Sequence, residues 1–228
     1  MQAQFRFYAE LNDHLPSGSD GAEIAHSFQP GATVKDRIEA LGVPHTEVDL
    51  ILVNGRSVDF SYPVRDGDRI SVYPVFESFD ISPLLRLRPL ALRNPRFVLD
   101  THLGRLAVYL RLLGFDTLYR NDYADTELAR IERDEKRILL TRDRGLLKRS
   151  SVERGYYVRE IKFREQVFEV LRRFDLLRTI QPFHRCLRCN TVLRPAGEYT
   201  TCPGCSRLYW KGSHYARMQR FVETLTTC

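Results

Sequence analysis

Four cysteines form two Cys-x-x-Cys pairs, Cys186-Leu-Arg-Cys189 and Cys202-Pro-Gly-Cys205, with twelve residues between them. Thiolates at this spacing can close a tetrahedron around Zn²⁺, each pair wrapping a tight turn that aims both sulfurs at one ion. Pro203 and Gly204 suit such a turn. Two disulfides would use the same residues, but the paired spacing favours the metal, and a ribbon this small needs it to fold. His184 and His214 lie nearby and are not required, because four thiolates already complete the coordination. The fifth cysteine, Cys228, is expected to be a free thiol.

Carboxylates form the second candidate. Asp100 directly follows the apolar run Phe97-Val-Leu99, and Asp143 lies two residues past Arg137-Ile-Leu-Leu-Thr141. Asp125 opens a helical stretch between them, with Glu127 two residues on. In open parallel sheets the working site forms at the carboxyl ends of the strands, so Asp100, Asp125 and Asp143 are expected to converge there. Carboxylates gathered this way need a counter-cation. Mg²⁺ or Mn²⁺ is the usual one, polarising a phosphate and activating water for in-line attack. Plainer roles compete: Asp125 taken alone suits a helix N-cap, Glu127 a first turn, and Asp143 a cap for the helix after Thr141. Asp100 is harder to dismiss, since a carboxylate ending an apolar strand requires a partner.

Basic residues surround these positions. Arg142 and Arg144 flank Asp143, and Lys148 and Arg149 follow one turn later, where they could hold phosphates or simply form a solvated face. Arg105 and Arg111 are expected on the polar side of the helix between the first two runs, open to substrate. His102 could hydrogen-bond a phosphate or be an ordinary surface residue. Around the cysteines, Arg185, Arg188, Arg194, Arg207 and Lys211 alternate with Tyr199, Tyr209, Trp210 and Tyr215. That mixture suits single-stranded RNA, with cations for the backbone and rings for unpaired bases. The competing expectation, favoured for Trp210, is that Tyr209 and Trp210 form the small core of the ribbon.

The elements that must hold these groups show in the patterning. From residue 96, strands Phe97–Leu99, 115–119, 137–141 and 155–158 alternate with helices carrying Leu103, Leu106, Ala107, Leu110 and Leu113, then 125–134, then Val167, Val170, Leu171 and Phe174. Strands separated by helices imply a parallel sheet. Before them, Gln4–Tyr8 alternates as a half-buried strand. Thr33 caps a helix on Val34, Ile38 and Leu41. Val48–Val53 ends at the hairpin signal Asn54-Gly55, and Arg69–Tyr73 closes the set. Three prolines interrupt residues 80–95, which read as a linker.

Composition narrows the function. At 228 residues, 43% hydrophobic and 28% charged, the chain is expected to be a soluble globular protein. It has no apolar run near the roughly 18 residues of a membrane span and no signal segment, so cytoplasm is the expected compartment and no membrane partner is expected. The net charge of +6 lies beyond residue 85, behind an acid-rich first 80 residues, which favours a nucleic-acid partner. No Ser or Cys sits beside a clear base, so a covalent intermediate is not expected.

Two resemblances sharpen these expectations. Ala32-Thr33-Val34, Leu41-Gly-Val-Pro44, Leu52-Val-Asn-Gly55 and Asp66-Gly-Asp-Arg-Ile70 make the first segment resemble the β-grasp, ubiquitin-like sulfur carriers of thiamine and molybdopterin synthesis. Those carriers act through a terminal Gly-Gly. Here the strand runs on into Pro74-Val-Phe-Glu-Ser-Phe79, so a binding or positioning module is implied instead, with a protein partner as one outcome. Asp100 with Leu103-Gly-Arg-Leu-Ala107, Leu110-Arg-Leu-Leu-Gly-Phe-Asp116, Ile138-Leu-Leu-Thr-Arg-Asp-Arg144, the four cysteines and Tyr209-Trp-Lys-Gly-Ser-His214 resemble the Mut-seven C-terminal RNase domain, a PIN-like nuclease fold with a zinc ribbon. The resemblance implies that Asp100 is the first-strand metal ligand, Asp143 the later one, and Asp125 the acid opening the middle helix, with Glu127 its neighbour. Many PIN-like proteins carry Thr-x-Asp-x-Asp; here Gly145 stands at the last position, which leaves a one-metal site open.

The expected fold class is α/β: a β-grasp domain at 1–79, a linker at 80–95, a PIN-like three-layer domain with a parallel sheet at 96–180, and a zinc ribbon with its tail at 181–228. The expected function is Mg²⁺- or Mn²⁺-dependent endonucleolytic cleavage of single-stranded RNA, with the zinc ribbon assisting binding. Asp100, Asp125, Asp143 and Glu127 would serve catalysis, and Arg105, Arg142, Arg144 and Lys148 would bind substrate. The alternatives are a non-catalytic RNA-binding or ribosome-associated module and a protein-interaction scaffold.

Overall fold

Alternation of apolar and polar side chains builds the first strand, β1 (Gln2–Phe7), which buries Ala3, Phe5 and Phe7 on one face. It pairs antiparallel with β2 (Ile24–Ser27), an element not anticipated from the sequence. Helix α1 (Val34–Ala40) follows. Thr33 accepts from the Asp36 N–H while the Asp36 carboxylate accepts from the Thr33 N–H, a reciprocal cap that contributes about 1 kcal/mol. Strands β3 (Val48–Val53) and β4 (Arg56–Val58) form a hairpin across Asn54 and Gly55, both left-handed at φ 49° and 79°. β5 (Arg69–Pro74) lies parallel to β1 and antiparallel to β3, giving the order β2-β1-β5-β3-β4. Val34 and Ile38 of α1 join Phe5, Phe7, Ile51 and Val72 in the core, so a five-stranded β-grasp sheet closes on one helix. The structure is a computed structural model that describes residues 1–16, 21–74 and 95–226. The linker expected at 80–95, apart from Pro95, and Cys228 lie outside those residues.

The later part alternates as expected. β6 (Phe97–Leu99) leads through a 3₁₀ turn at Thr101–Leu103 into α2 (Gly104–Leu112). Leu103, Leu106, Ala107, Leu110 and Leu113 are all buried, so the helical spacing was a true core face. β7 (Thr117–Tyr119) begins two residues later than the expected strand, because Gly114 still turns the chain at φ 97°. Helix α3 (Asp125–Glu135), β8 (Ile138–Thr141), the one-turn α4 (Arg144–Leu147), β9 (Gly155–Tyr157) and α5 (Phe163–Arg173) follow. The sheet order is β7-β6-β8-β9, with β6 parallel to both β7 and β8. Phe97, Val98, Leu99 and residues Ile138, Leu139 and Leu140 are buried throughout, as strands of a parallel sheet flanked by helices must be. Phe174 packs its ring edge-on to Phe97 and Tyr156, at 5.5 and 5.7 Å. The chain then forms the antiparallel ribbon β10 (Arg194–Ala196), β11 (Tyr199–Thr201) and β12 (Leu208–Tyr209), and ends in α6 (Ser213–Thr226), a helix not anticipated from the sequence.

The molecule divides into two compact units. One draws its described residues from Met1–Arg93 and Asp143–Gly155, the other from Asn94–Arg142 and Tyr156–Cys228. The segment from Asp143 to Gly155, expected within the 96–180 domain, thus shares a unit with the β-grasp sheet. Within that unit His45 Nε2 lies 2.8 Å from the Val152 carbonyl, Lys148 donates to the Glu39 carbonyl at 2.9 Å, and Arg144 donates to the Asp13 carbonyl at 3.2 Å. Leu146, Leu147 and Val152 are buried. Among the described residues no helix is long and apolar enough to cross a membrane.

Candidate functional site

The two cysteine pairs fold into matching turns. Asn190 N–H donates to the Cys186 carbonyl and Ser206 N–H to the Cys202 carbonyl, at 2.9 and 2.8 Å. Cys186 N–H reaches the Thr191 carbonyl and Cys202 N–H the Arg207 carbonyl, at 2.8 and 2.9 Å. The residue after each second cysteine is left-handed, Asn190 at φ 70° and Ser206 at φ 55°. Gly204 lets the pairs approach, since a Cβ there would stand 2.4 Å from Thr191 Oγ1. All four sulfurs lie within 4.8 Å of one another. Cys186 and Cys205 are 3.6 Å apart and Cys189 and Cys202 3.3 Å. A metal–sulfur bond of about 2.3 Å implies about 3.8 Å between tetrahedral sulfurs, so the donor set fits an ion such as zinc. The thiols respond to their crowding. Burial works against the Cys189 thiolate, yet hydrogen bonds from Thr191, Cys202 and Cys186 prevail and bring it down to about 6. At Cys205 the Arg207 backbone favours the thiolate, but burial and the other three thiols push it up to about 12. Such splitting is what a shared cation relieves.

A buried polar network docks this cluster on the sheet, and the sequence reading missed it. Arg111, expected to be open to substrate, is 4% exposed. Its Nε donates to the Thr117 carbonyl at 2.8 Å and its Nη1 to the Leu187 and Arg188 carbonyls at 3.1 and 2.8 Å, inside the first cysteine turn. Asn190 accepts from the Thr117 N–H at 3.0 Å and donates to Asp116 at 2.8 Å. Asp116 also accepts from Arg137 at 2.7 Å, with Arg185 at 3.9 Å. Burial opposes ionisation of Asp116, but hydrogen bonds from Arg137 and Asn190 and the charges of Arg137 and Arg185 hold its carboxyl below the usual range. The available signal was an Asp opening a strand and an Asn directly after a metal-type cysteine pair.

Asp100 sits at the carboxyl end of β6 and is 8% exposed. Its Oδ2 accepts from Thr141 Oγ1 at 2.7 Å, at the end of β8, and its Oδ1 from Thr101 Oγ1 at 3.0 Å. Tyr119, ending β7, donates to the Thr101 carbonyl at 3.0 Å. Gly104 admits that ring, since a Cβ there would stand 2.6 Å from the Tyr119 hydroxyl. Three strand ends thus meet around one carboxylate. Each of its oxygens accepts a hydroxyl hydrogen bond, which orients the carboxylate at the sheet's carboxyl edge.

The other expected residues are placed differently. Asp125 is the first residue of α3; the N-cap position belongs to Ala124, with no side-chain cap, so the capping role expected for Asp125 is not the one it has. Glu127 lies 3.4 Å from Arg120. Asp143 does cap α4, accepting from the Gly145 and Leu146 N–H groups at 2.7 and 3.3 Å. Among the described residues only the four cysteines bring three or more ligand atoms so close together; Asp100, Asp125 and Glu127 are not gathered in this way. Arg142 donates to the Val158, Arg159 and Glu160 carbonyls at 3.0, 2.8 and 2.6 Å. Arg144 and Lys148 reach carbonyls of the β-grasp sheet's unit, as given above, and Arg105 lies 5.4 Å from the Phe163 ring. His102 is exposed. Trp210, expected in the ribbon's core, is 64% exposed; the core ring is Tyr209, whose hydroxyl meets Cys186 Sγ.

Comparison with known proteins gives the following. The family described as Mut7-C RNAse domain matches residues 95–198 and 194–222, and the one described as Mut7-C ubiquitin matches residues 1–80. Among solved structures, SAMP1 from Haloferax volcanii is 16% identical, over 35% of this chain and 100% of that one, with a TM-score of 0.28. A Pyrococcus furiosus protein described as molybdopterin converting factor, subunit 1, is 23% identical over 32% of this chain and 97% of that one, with a TM-score of 0.27. No curated protein matches the chain.

Proposed function

The chain belongs to the Mut7-C RNAse domain family, and from that premise we propose that it is a metal-dependent endoribonuclease acting on single-stranded RNA. The observation that carries this reading is Asp100, a buried carboxylate where three strand ends of a parallel sheet meet. Mg²⁺ or Mn²⁺ held there would supply a polarised phosphate and an activated water. Thr141 and Thr101 fix the orientation of the Asp100 carboxylate by their hydroxyl hydrogen bonds, so that its remaining acceptor positions are preset rather than ordered on binding. Asp143, two residues beyond Thr141, is the second ligand in this reading; Asp125 and Glu127, which do not gather with Asp100 at ligand distance, are left out of the coordination. The cysteine cluster holds structural zinc, and its reduced thiols suit the cytoplasm.

The domains run as 1–79, 96–180 and 181–228. The ubiquitin-like domain acts as a positioning module for the segment that begins at Asp143, a role supported by the His45, Glu39 and Asp13 contacts to that segment. A second reading, a non-catalytic RNA-binding module, is favoured by one observation: Asp143 is already committed to capping α4.

The test is incubation of zinc-loaded protein with single-stranded RNA and Mn²⁺ or Mg²⁺, beside Asp100→Asn and Asp143→Asn. The expected result is cleavage that requires the added metal and disappears in both folded variants. Binding without cleavage, unchanged by either substitution, would establish the second reading instead.

A further inference from the structure

The ribbon and α6 enclose a cleft that the carboxylates do not use. Its volume is about 560 Å³, within the roughly 300–1,000 Å³ of small-ligand sites. Phe183, Tyr209, Trp210 and Tyr215 line it together with Arg207 and Lys211. One wall is fixed by the metal centre, because the Tyr209 hydroxyl lies 3.1 Å from Cys186 Sγ and accepts from the Leu187 N–H at 3.1 Å. Another is fixed by the rings of Phe183 and Tyr215, 4.4 Å apart and tilted by 31°. Between these held walls Trp210 stays 64% exposed. Gly212 leaves room for its indole edge, since a Cβ there would stand 3.0 Å from Nε1.

An indole left in water beside fixed aromatic walls forgoes the burial that a core tryptophan gains. What it offers is a flat face. The charged groups at the rim are Arg207, Lys211 and one acid, Glu198, while Arg185 is engaged with Asp116. A flat aromatic face under a net positive rim complements a planar base joined to phosphates. An apolar peptide would have no use for the cations. We propose that this cleft binds an unpaired base of single-stranded RNA, stacked on Trp210, with Arg207 and Lys211 holding the flanking phosphates. The proposal deepens the ribonuclease reading and rests on RNA being its polymer.

Trp210 is the only tryptophan in the chain, so its emission reports this cleft alone. Zinc-loaded full-length protein, without added Mg²⁺ or Mn²⁺, is titrated with a short single-stranded oligouridylate. The expected result is saturable quenching that weakens as salt rises. The double variant Arg207→Ala, Lys211→Ala weakens binding about tenfold, as does Trp210→Ala when binding is followed by anisotropy of labelled RNA. Trp210→Phe, which keeps a stacking face and the zinc, restores most of the affinity. Absent quenching, equal quenching by a duplex or by polyglutamate, or wild-type binding by Trp210→Ala would each overturn the proposal. Quenching without metal-dependent cleavage would keep the cleft and remove the ribonuclease reading; cleavage without quenching would do the reverse.

Discussion

The thiol cluster and the Asp100 corner lie in the same compact unit, yet they are assembled by opposite means. Each pair of sulfurs is aimed by a turn of five or six residues, so most of the geometry is local and repeats from one knuckle to the next. Asp100 depends on partners that arrive along the sheet: Thr141 is 41 residues away, and Tyr119 reaches the Thr101 carbonyl across 18. The first kind of site is written in spacing. The second exists only once β6, β7 and β8 are in register, and it therefore inherits whatever disturbs the sheet. The Asp116–Arg137–Asn190–Arg111 network holds the local site against the opening ends of the same strands.

The largest expected effect follows from that contrast. Cys202→Ser removes a buried thiol from a centre whose binding free energy is folding free energy, on the order of 10 kcal/mol for structural zinc. Metal analysis should show the ion lost, and hydrogen exchange should show β10–β12 unprotected while β6 and β8 stay protected. Equal loss in the sheet would break the distinction between the two sites. Falling pH should release the metal as its thiolate ligands protonate, with loss of the β10–β12 protection following loss of the ion.

Next in size is Thr141→Val, which keeps the shape of the side chain and removes the hydroxyl that Asp100 accepts from. Loss of a residue that orients a ligand costs about 10–100-fold in activity or metal affinity. Cleavage should fall by that factor with the bound zinc unchanged. An unaltered rate would show that Asp100 needs no orientation from β8.

Asp116→Asn tests how the cysteine cluster is held on the sheet. Removing a charged partner from the half-buried Arg137 pair should cost about 2 kcal/mol in unfolding measurements at neutral pH. The folded carboxyl lies below its unfolded value, so the stabilisation is present above about pH 4 and is lost as pH falls through the lower folded value. The difference between wild type and variant should therefore shrink on acidification. A constant difference would assign the effect to packing.

The smallest effect is expected from His45→Ala. It removes the Nε2 contact to the Val152 carbonyl and should loosen the segment after Asp143 by about 1 kcal/mol. Faster amide exchange across residues 144–152, with the zinc content unchanged, would register it.

Legibility followed the same division. The Thr33 cap, the Asn54-Gly55 hairpin, the buried leucines of α2 and both cysteine turns were readable because each depends on residues within a turn or two. The parallel sheet was readable as alternation of strand and helix. Arg111 was not. Helical spacing put it on the polar face, and the polar face there is covered by the first cysteine turn, whose accepting carbonyls lie 76 and 77 residues away. Trp210 failed in the other direction, since aromatic character alone does not say which ring of a Tyr-Trp pair turns inward. The attachment of Asp143–Gly155 to the β-grasp unit was equally invisible, because its contacts span more than a hundred residues.

The most direct test is a Mn²⁺ titration of zinc-loaded wild type and Asp100→Asn, followed by electron paramagnetic resonance of the free ion. The account predicts a saturable Mn²⁺ site in the wild type that disappears in Asp100→Asn while the zinc content stays the same. Equal Mn²⁺ uptake by the two proteins, or none by either, would contradict it.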